Sequence, residues 1–178
     1  MAGSVPSHFV LVSGPNSSGK SRYAEQLIAG TEGPRYYIAT MIPCTQENHR
    51  RIEKHRVQRK DLGFRTIESP YGVGNIPVPQ DGIVLLEDVS NLLANALFDR
   101  QISPDRVFAD ICSLAGRCRM LVAVTISGLS PDGCDEETAA YIDALNRLNR
   151  KLYDVASAAV AMENGHPVCQ KGENPHLT

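Results

Sequence analysis

The residues best suited to chemistry come early in the chain. Gly14, Pro15, Asn16, Ser17, Ser18, Gly19, Lys20 and Ser21 satisfy the pattern G-x-x-x-x-G-K-[ST]. Glycines at both ends let successive backbone amides turn inward as an anion-binding nest. A helix starting at the loop adds the partial positive charge of its N-terminus. In such a loop Lys20 reaches the β- and γ-phosphates of ATP or GTP, and the Ser21 hydroxyl ligates Mg²⁺. Lys20 is expected to face the surface while the loop is empty. The metal also needs a carboxylate at the end of a neighbouring strand. The apolar run Ile83 to Leu86 ends in Glu87 and Asp88, which makes Glu87 the first candidate and Asp88 the lesser one.

A second group of reactive residues lies between Thr45 and Lys60. It holds His49, Arg50, Arg51, Lys54, His55, Arg56, Arg59 and Lys60, with few apolar residues. In a helix, Arg51, His55 and Arg59 recur every four residues and share one face. A histidine has an unperturbed pKa of about 6.5. Arginines beside it lower that value and keep a lone pair available for attack on phosphorus. They also neutralise charge as the phosphorus centre is attacked. Composition alone leaves a solvated charged helix as the ordinary reading of this stretch. His8, His49, His166 and His176 carry no comparable pattern.

These groups need a scaffold. Apolar runs at 8–13, 36–40, 83–86, 120–125 and 158–162 have the length and continuity of strands covered on both faces. Helical patterns lie between them: 20–28 after the glycine loop, 104–118, and a stripe through Tyr141, Leu145, Leu148, Leu152 and Val155. Ser90 is expected to cap a helix carrying Leu92, Leu93, Ala96 and Leu97. Asn164 and Gly165 form a preferred two-residue turn, so a hairpin is expected there, with Pro167 as a conflicting signal. The segment 69–81, rich in glycine and proline, reads as a loop. Strands alternating with helices imply an α/β fold with a mostly parallel sheet. The 178 residues suffice for one domain, with 172–178 as a loose tail.

Composition excludes several classes. Lys and Arg total 18 against 20 Asp and Glu, a formal net charge of -2. That balance argues against general nucleic-acid binding. Cys44, Cys112, Cys118, Cys134 and Cys169 form no Cys-x-x-Cys pair, so neither a zinc site nor a disulfide framework follows. No apolar run approaches the roughly 18 residues of a membrane span. Residues 1–7 lack the pattern of a signal peptide, and the expected compartment is the cytoplasm.

In combination the motifs resemble the bifunctional adenosylcobinamide kinase / adenosylcobinamide-phosphate guanylyltransferase family of cobalamin assembly. Ser18 to Arg22 matches the family loop G-x-x-x-S-G-K-S-R, and Ala24 and Glu25 fit the helix after it. Tyr37, Ile38, Ala39 and Thr40 match Tyr-Ile-Ala-Thr. Arg51 to Arg59 matches R-I-x-x-H-R-x-x-R. Thr66 and Glu68, then Leu85 to Glu87 and Asn95, follow in family order. Tyr141, Asp143 and Asn149 are similar to a later family helix. The resemblance implies a P-loop NTPase fold of the recombinase type, helices on both faces of the sheet and a C-terminal hairpin. It implies that His55 is the guanylylated nucleophile. It also implies that Gly14 to Ser21, Ala39, Thr40, Arg51, Arg56, Arg59, Glu68 and Glu87 line the nucleotide site, that the acceptor is a corrinoid, and that the assembly is a homotrimer. Ile126 to Pro131, Ala139 and Ile142 depart from the family pattern. Besides the two-step enzyme, a single-activity P-loop small-molecule kinase and a divergent nucleotide-binding paralogue with a regulatory role remain open on sequence alone.

Overall fold

The computed structural model describes residues 8–173. The expected absence of a leader in residues 1–7 and most of the expected tail fall outside these residues. Seven strands form one sheet: β1 (His8–Gly14), β2 (Arg35–Ala39), β3 (Phe64–Glu68), β4 (Ile83–Glu87), β5 (Met120–Ile126), β6 (Ala158–Glu163) and β7 (His166–Lys171). Their order is β3-β2-β4-β5-β1-β6-β7. Every neighbouring pair is parallel except β6 with β7.

Five helices connect them: α1 (Lys20–Ala29), α2 (Gln46–Arg59), α3 (Val89–Arg100), α4 (Pro104–Ala115) and α5 (Glu136–Val155). The continuous apolar strands bury both faces, as their composition requires. In β1, Phe9 and Leu11 join Leu92, Ile111, Leu114, Leu145 and Leu148 on the side of α3, α4 and α5. The alternate residues Val10 and Val12 join Tyr23, Leu27 and Ile28 of α1 on the other side. The loop 69–81 carries a 3-10 turn, Val73–Asn75, whose Val73 is fully buried in the first of these cores.

Two local details differ from the sequence reading, and one conflicting signal is resolved. Strand β3 was not expected, because Phe64 and Ile67 are three residues apart and give neither an apolar run nor an alternation. It stands at the sheet edge, where its half-exposed pattern is tolerated. The cap of α3 is Asp88, not Ser90. Asp88 Oδ1 accepts from the Asn91 amide at 2.7 Å, and Ser90 Oγ donates to the same oxygen at 2.9 Å. The helix follows β4 without a loop, so the charged acceptor two residues earlier takes the cap. The hairpin forms through Asn164 and Gly165 at φ 50° and 78°, and Pro167 fits because β7 is the outer strand.

Candidate nucleotide and group-transfer site

The carboxyl ends of the parallel strands place most of the candidate residues in one region. Register sets Ala39 opposite Glu68 on one side and opposite Glu87 on the other. Gly14 ends β1, and the loop runs from it to Lys20 at the start of α1. Gly14 admits no side chain: a Cβ there would stand 2.8 Å from Ser18 Oγ and 3.0 Å from Met162 Cβ. Ser17 and Gly19 hold the loop's shape with φ of 57° and 86°. Gly19 is the N-cap of α1 and has no side chain to block its amides. Pro15, Asn16 and Ser17 are exposed, and Ser18 and Ser21 are half-buried.

Lys20 corrects the expectation that it faces solvent. It is 8 % exposed, and its Nζ donates to the Pro15 carbonyl at 2.6 Å. The long side chain folds back over its own loop because the carbonyl satisfies the ammonium there. Burial lowers its pKa, opposed by the charges of Asp88 and Glu87.

Ser21 Oγ donates to Glu87 Oε1. Glu87 is half-buried as a residue, but its Oε2 is closed from solvent and has no hydrogen-bond partner. Burial, and then the neighbouring Asp88 carboxyl, push the Glu87 pKa up to about 8, against the hydrogen bond from Ser21. Asp88 is also raised by burial, opposed by its bonds to Asn91 and Ser90 and by the charges of Lys20 and Arg51. Its helix-capping bonds give Asp88 a structural task that Glu87 lacks.

Thr40 is fully buried and locks the end of β4. Its hydroxyl accepts from the Asp88 amide at 2.8 Å and donates towards the Asp88 and Glu87 carbonyls at 2.8 and 3.1 Å. Asn95 Nδ2 donates to the Thr40 and Pro70 carbonyls. The sequence reading placed Thr40 at the site; the structure shows that it holds the acidic pair in position.

Helix α2 begins at the Thr45 cap, which accepts from the Asn48 amide at 3.1 Å. The charges of Lys20 and of Arg51 on α2 both act to lower the Asp88 pKa against its burial. His55 is half-buried, with Nδ1 shielded and without a partner. Burial, followed by Arg59, Arg51 and Lys54, lowers its pKa, which keeps the ring neutral at physiological pH. Among the described residues, no hydrogen bond joins His55 to the loop. Arg51 is exposed. Arg56 is exposed and lies 3.8 Å from Glu68 and 3.7 Å from Glu53. Arg59 is buried, its guanidinium 3.3 Å from the centre of the Tyr37 ring.

Sequence reasoning missed the burial of Glu25 in α1 and of Arg59 against Tyr37. An acidic residue on the inner face of α1 was its only local sign. The departing segment 126–131 begins beside the loop, where the Ser127 amide donates to the Gly14 carbonyl at 3.0 Å. Ile142 is buried in α5. Asn149 secures the end of β5 through Thr125 Oγ1 and the Ile126 carbonyl, at 2.7 and 2.9 Å.

A buried lysine, a glycine loop opening a helix, a hydroxyl and a carboxylate are the groups that suit a nucleoside triphosphate. A neutral imidazole beside cations has the chemistry to attack phosphorus. The solved structures that resemble this chain agree on the fold. A Pyrococcus horikoshii OT3 protein has a TM-score of 0.56 at 11 % identity, covering 96 % of this chain and 89 % of its own. A prototypical ATPase of the type III secretion system of pathogenic bacteria has a TM-score of 0.53 at 8 % identity, covering 86 % of this chain and 50 % of its own. Two curated proteins are more similar in sequence. The Escherichia coli K12 bifunctional adenosylcobalamin biosynthesis protein CobU is 29 % identical, covering 88 % of this chain and 96 % of its own length. The Pseudomonas aeruginosa bifunctional adenosylcobalamin biosynthesis protein CobP is 30 % identical, covering 92 % and 97 %. The sequence profile of the family described as "Cobinamide kinase / cobinamide phosphate guanyltransferase" matches residues 10–169. With that match over nearly all of the described fold, the chain belongs to this family of kinase and nucleotidyltransferase enzymes.

Proposed function

We propose that this protein phosphorylates adenosylcobinamide and then transfers GMP from GTP to the product, through a covalent guanylyl group on His55. The observation that carries this reading is a half-buried histidine with a shielded, unpartnered Nδ1, whose pKa is lowered by burial and then by Arg59, Arg51 and Lys54 of its own helix.

In the first step the loop amides and Lys20 hold the triphosphate, with Lys20 leaving the Pro15 carbonyl for the β- and γ-phosphates. The aminopropanol hydroxyl of the corrinoid attacks the γ-phosphorus in line, losing its proton as the β–γ bond breaks and the nucleoside diphosphate leaves. ATP and GTP are both chemically suited to this step. Ser21 and Glu87 suit a magnesium ion, because both offer hard oxygen donors and Glu87 Oε2 is buried without a partner. When bound, that ion supplies positive charge to the β- and γ-phosphate oxygens. In the second step His55 attacks the α-phosphorus of GTP and pyrophosphate leaves. Nδ1 is shielded, which leaves Nε2 as the attacking nitrogen. Arg51, Arg56 and Arg59 belong to the nucleotide site, where their charge stabilises the phosphate as it is attacked. Ala39, Thr40 and Glu68 complete its wall. The corrinoid phosphate then takes GMP from His55, giving adenosylcobinamide-GDP.

The test uses GTP labelled at the α-phosphate. The denatured protein is expected to carry an acid-labile, base-stable label that His55→Ala abolishes. No adduct, with kinase turnover still lost in Lys20→Ala, would leave a single-activity kinase. Bound GTP with neither activity would leave a regulatory paralogue. Among the described residues no helix is long and apolar enough to cross a membrane. The reading carries a cytoplasmic homotrimer, and light scattering on the purified protein checks the assembly.

A further inference from the structure

Helix α2 carries the proposed nucleophile yet has almost no apolar face. Among its 14 residues Arg59 alone is buried, while Val57 is 63 % exposed. Burial of apolar surface therefore contributes little to holding this helix, and polar contacts must set its position. Towards α1 a cavity of about 340 Å³ separates Gln26 and Ala29 from Gln58 and Leu62. Open space, not interlocked side chains, lies between the two helices there.

Both helices end beside the start of β2. Helix α1 ends at Ala29, and α2 runs on through a 3-10 turn, Lys60–Leu62, to its own end. A helix end leaves its last carbonyls without partners and carries partial negative charge. The Arg35 guanidinium stands between the two ends and serves both. Its Nη2 donates to the Ala29 and Thr31 carbonyls, at 3.1 Å each, and its Nη1 donates to the Leu62 carbonyl at 2.8 Å. Ala29 and Leu62 also line the cavity from its two sides, so the guanidinium bridges the gap that the side chains leave open. Arg35 is itself anchored: it opens β2 in register with Phe64 of β3 and Ile83 of β4.

We propose that Arg35 is a positioning residue: its guanidinium ties the end of the His55 helix to the end of the phosphate-loop helix and so sets the imidazole for guanylyl transfer. The proposal rests on the reading of His55 given above. Helix α1 starts at the phosphate loop, and α2 carries the imidazole. Holding both helix ends on one planar, rigid fork fixes the spacing of α2 from α1, and with it the place of His55 relative to bound phosphates. The Thr45 cap acts at the opposite end of α2. The phosphoryl transfer step uses Lys20 and Ser21, which lie at the other end of α1 from Arg35.

Arg35→Met tests this because it keeps the stem and removes the fork. Three quantities are read: formation of the labelled guanylyl enzyme, kinase turnover, and amide hydrogen exchange in the nucleotide-free protein. Adduct formation is expected to fall about tenfold or more while kinase turnover stays within about twofold. Exchange is expected to rise about tenfold in residues 46–62 and to stay level in β4. Arg35→Lys is expected to recover part of both losses, because one ammonium can serve one helix end but not span both. Equal loss of the two activities, or faster exchange throughout the sheet, would mean that Arg35 only stabilises the fold and would overturn the proposal. Unchanged adduct formation with unchanged exchange would overturn it as well. If the wild-type protein forms no adduct, the functional reading fails on its own. Exchange in 46–62 then still decides the link, with a local rise in Arg35→Met supporting it and equal exchange refuting it. Should Arg35→Met not fold, Arg35→Lys is read by the same measures.

Discussion

Replacing Thr40 by valine removes one hydroxyl and keeps nearly the same volume. The consequence can be worked from its partners. The Glu87 carbonyl loses one donor but keeps the Thr40 amide at 3.1 Å. The Asp88 carbonyl, the other acceptor within reach of that single hydroxyl proton, keeps the Leu92 amide at 3.2 Å. The Asp88 amide, which donates to the Thr40 hydroxyl at 2.8 Å, has no other acceptor shown. One buried N–H is therefore orphaned, at a cost of about 1–3 kcal/mol. For a chain of this size, about 2 kcal/mol corresponds to a fall in melting temperature of roughly 4–8 °C. Thr40→Ser keeps the hydroxyl and loses one methyl group, about 1 kcal/mol. Urea unfolding of the three proteins in parallel is the assay. Thr40→Val is expected to be the least stable, and its kinase turnover to fall about tenfold as the Glu87–Asp88 corner shifts. Equal stability of Thr40→Val and Thr40→Ser, with turnover unchanged in both, would refute this account of the corner.

Other outcomes follow from the same geometry. Lys20→Ala should abolish kinase turnover while leaving the urea stability of the nucleotide-free protein nearly unchanged, because the hydrogen bond lost to the exposed Pro15 is offset by relief of the burial that lowers the Lys20 pKa. His55 has a lowered pKa, caused by burial and then by Arg59, Arg51 and Lys54. Guanylyl-enzyme formation should therefore stay level as pH falls through the usual histidine range and decline only below it. Arg51→Gln removes one of those charges and should move the acid limb of the pH–rate profile upward. A limb unmoved in Arg51→Gln would show that Arg51 does not act on the ring.

The α/β class was legible because the strands are covered on both faces. Val84, Leu85 and Leu86 are all fully buried, and only such strands read as unbroken apolar runs. The phosphate loop was legible for a similar reason: Gly14 and Gly19 answer local steric demands, and local demands leave local patterns. Strand β3 was not, because an edge strand needs few apolar residues. The cap of α3 was misplaced by two residues, because Asp88 and Ser90 are both good caps and only the direct run from β4 into α3 selects between them.

What the sequence by itself determined is the presence of a triphosphate loop, a carboxylate at the end of a strand and a histidine among arginines. Each is a short-range pattern, written by residues within one turn or one strand. Tertiary structure decided how they meet. Strand register aligned Glu68, Ala39 and Glu87, although they lie in three separate strands. Tertiary packing also buried Lys20 and set Arg59 on the Tyr37 ring. Burial and charge pairing depend on which distant segments come together, and no local pattern carries that information.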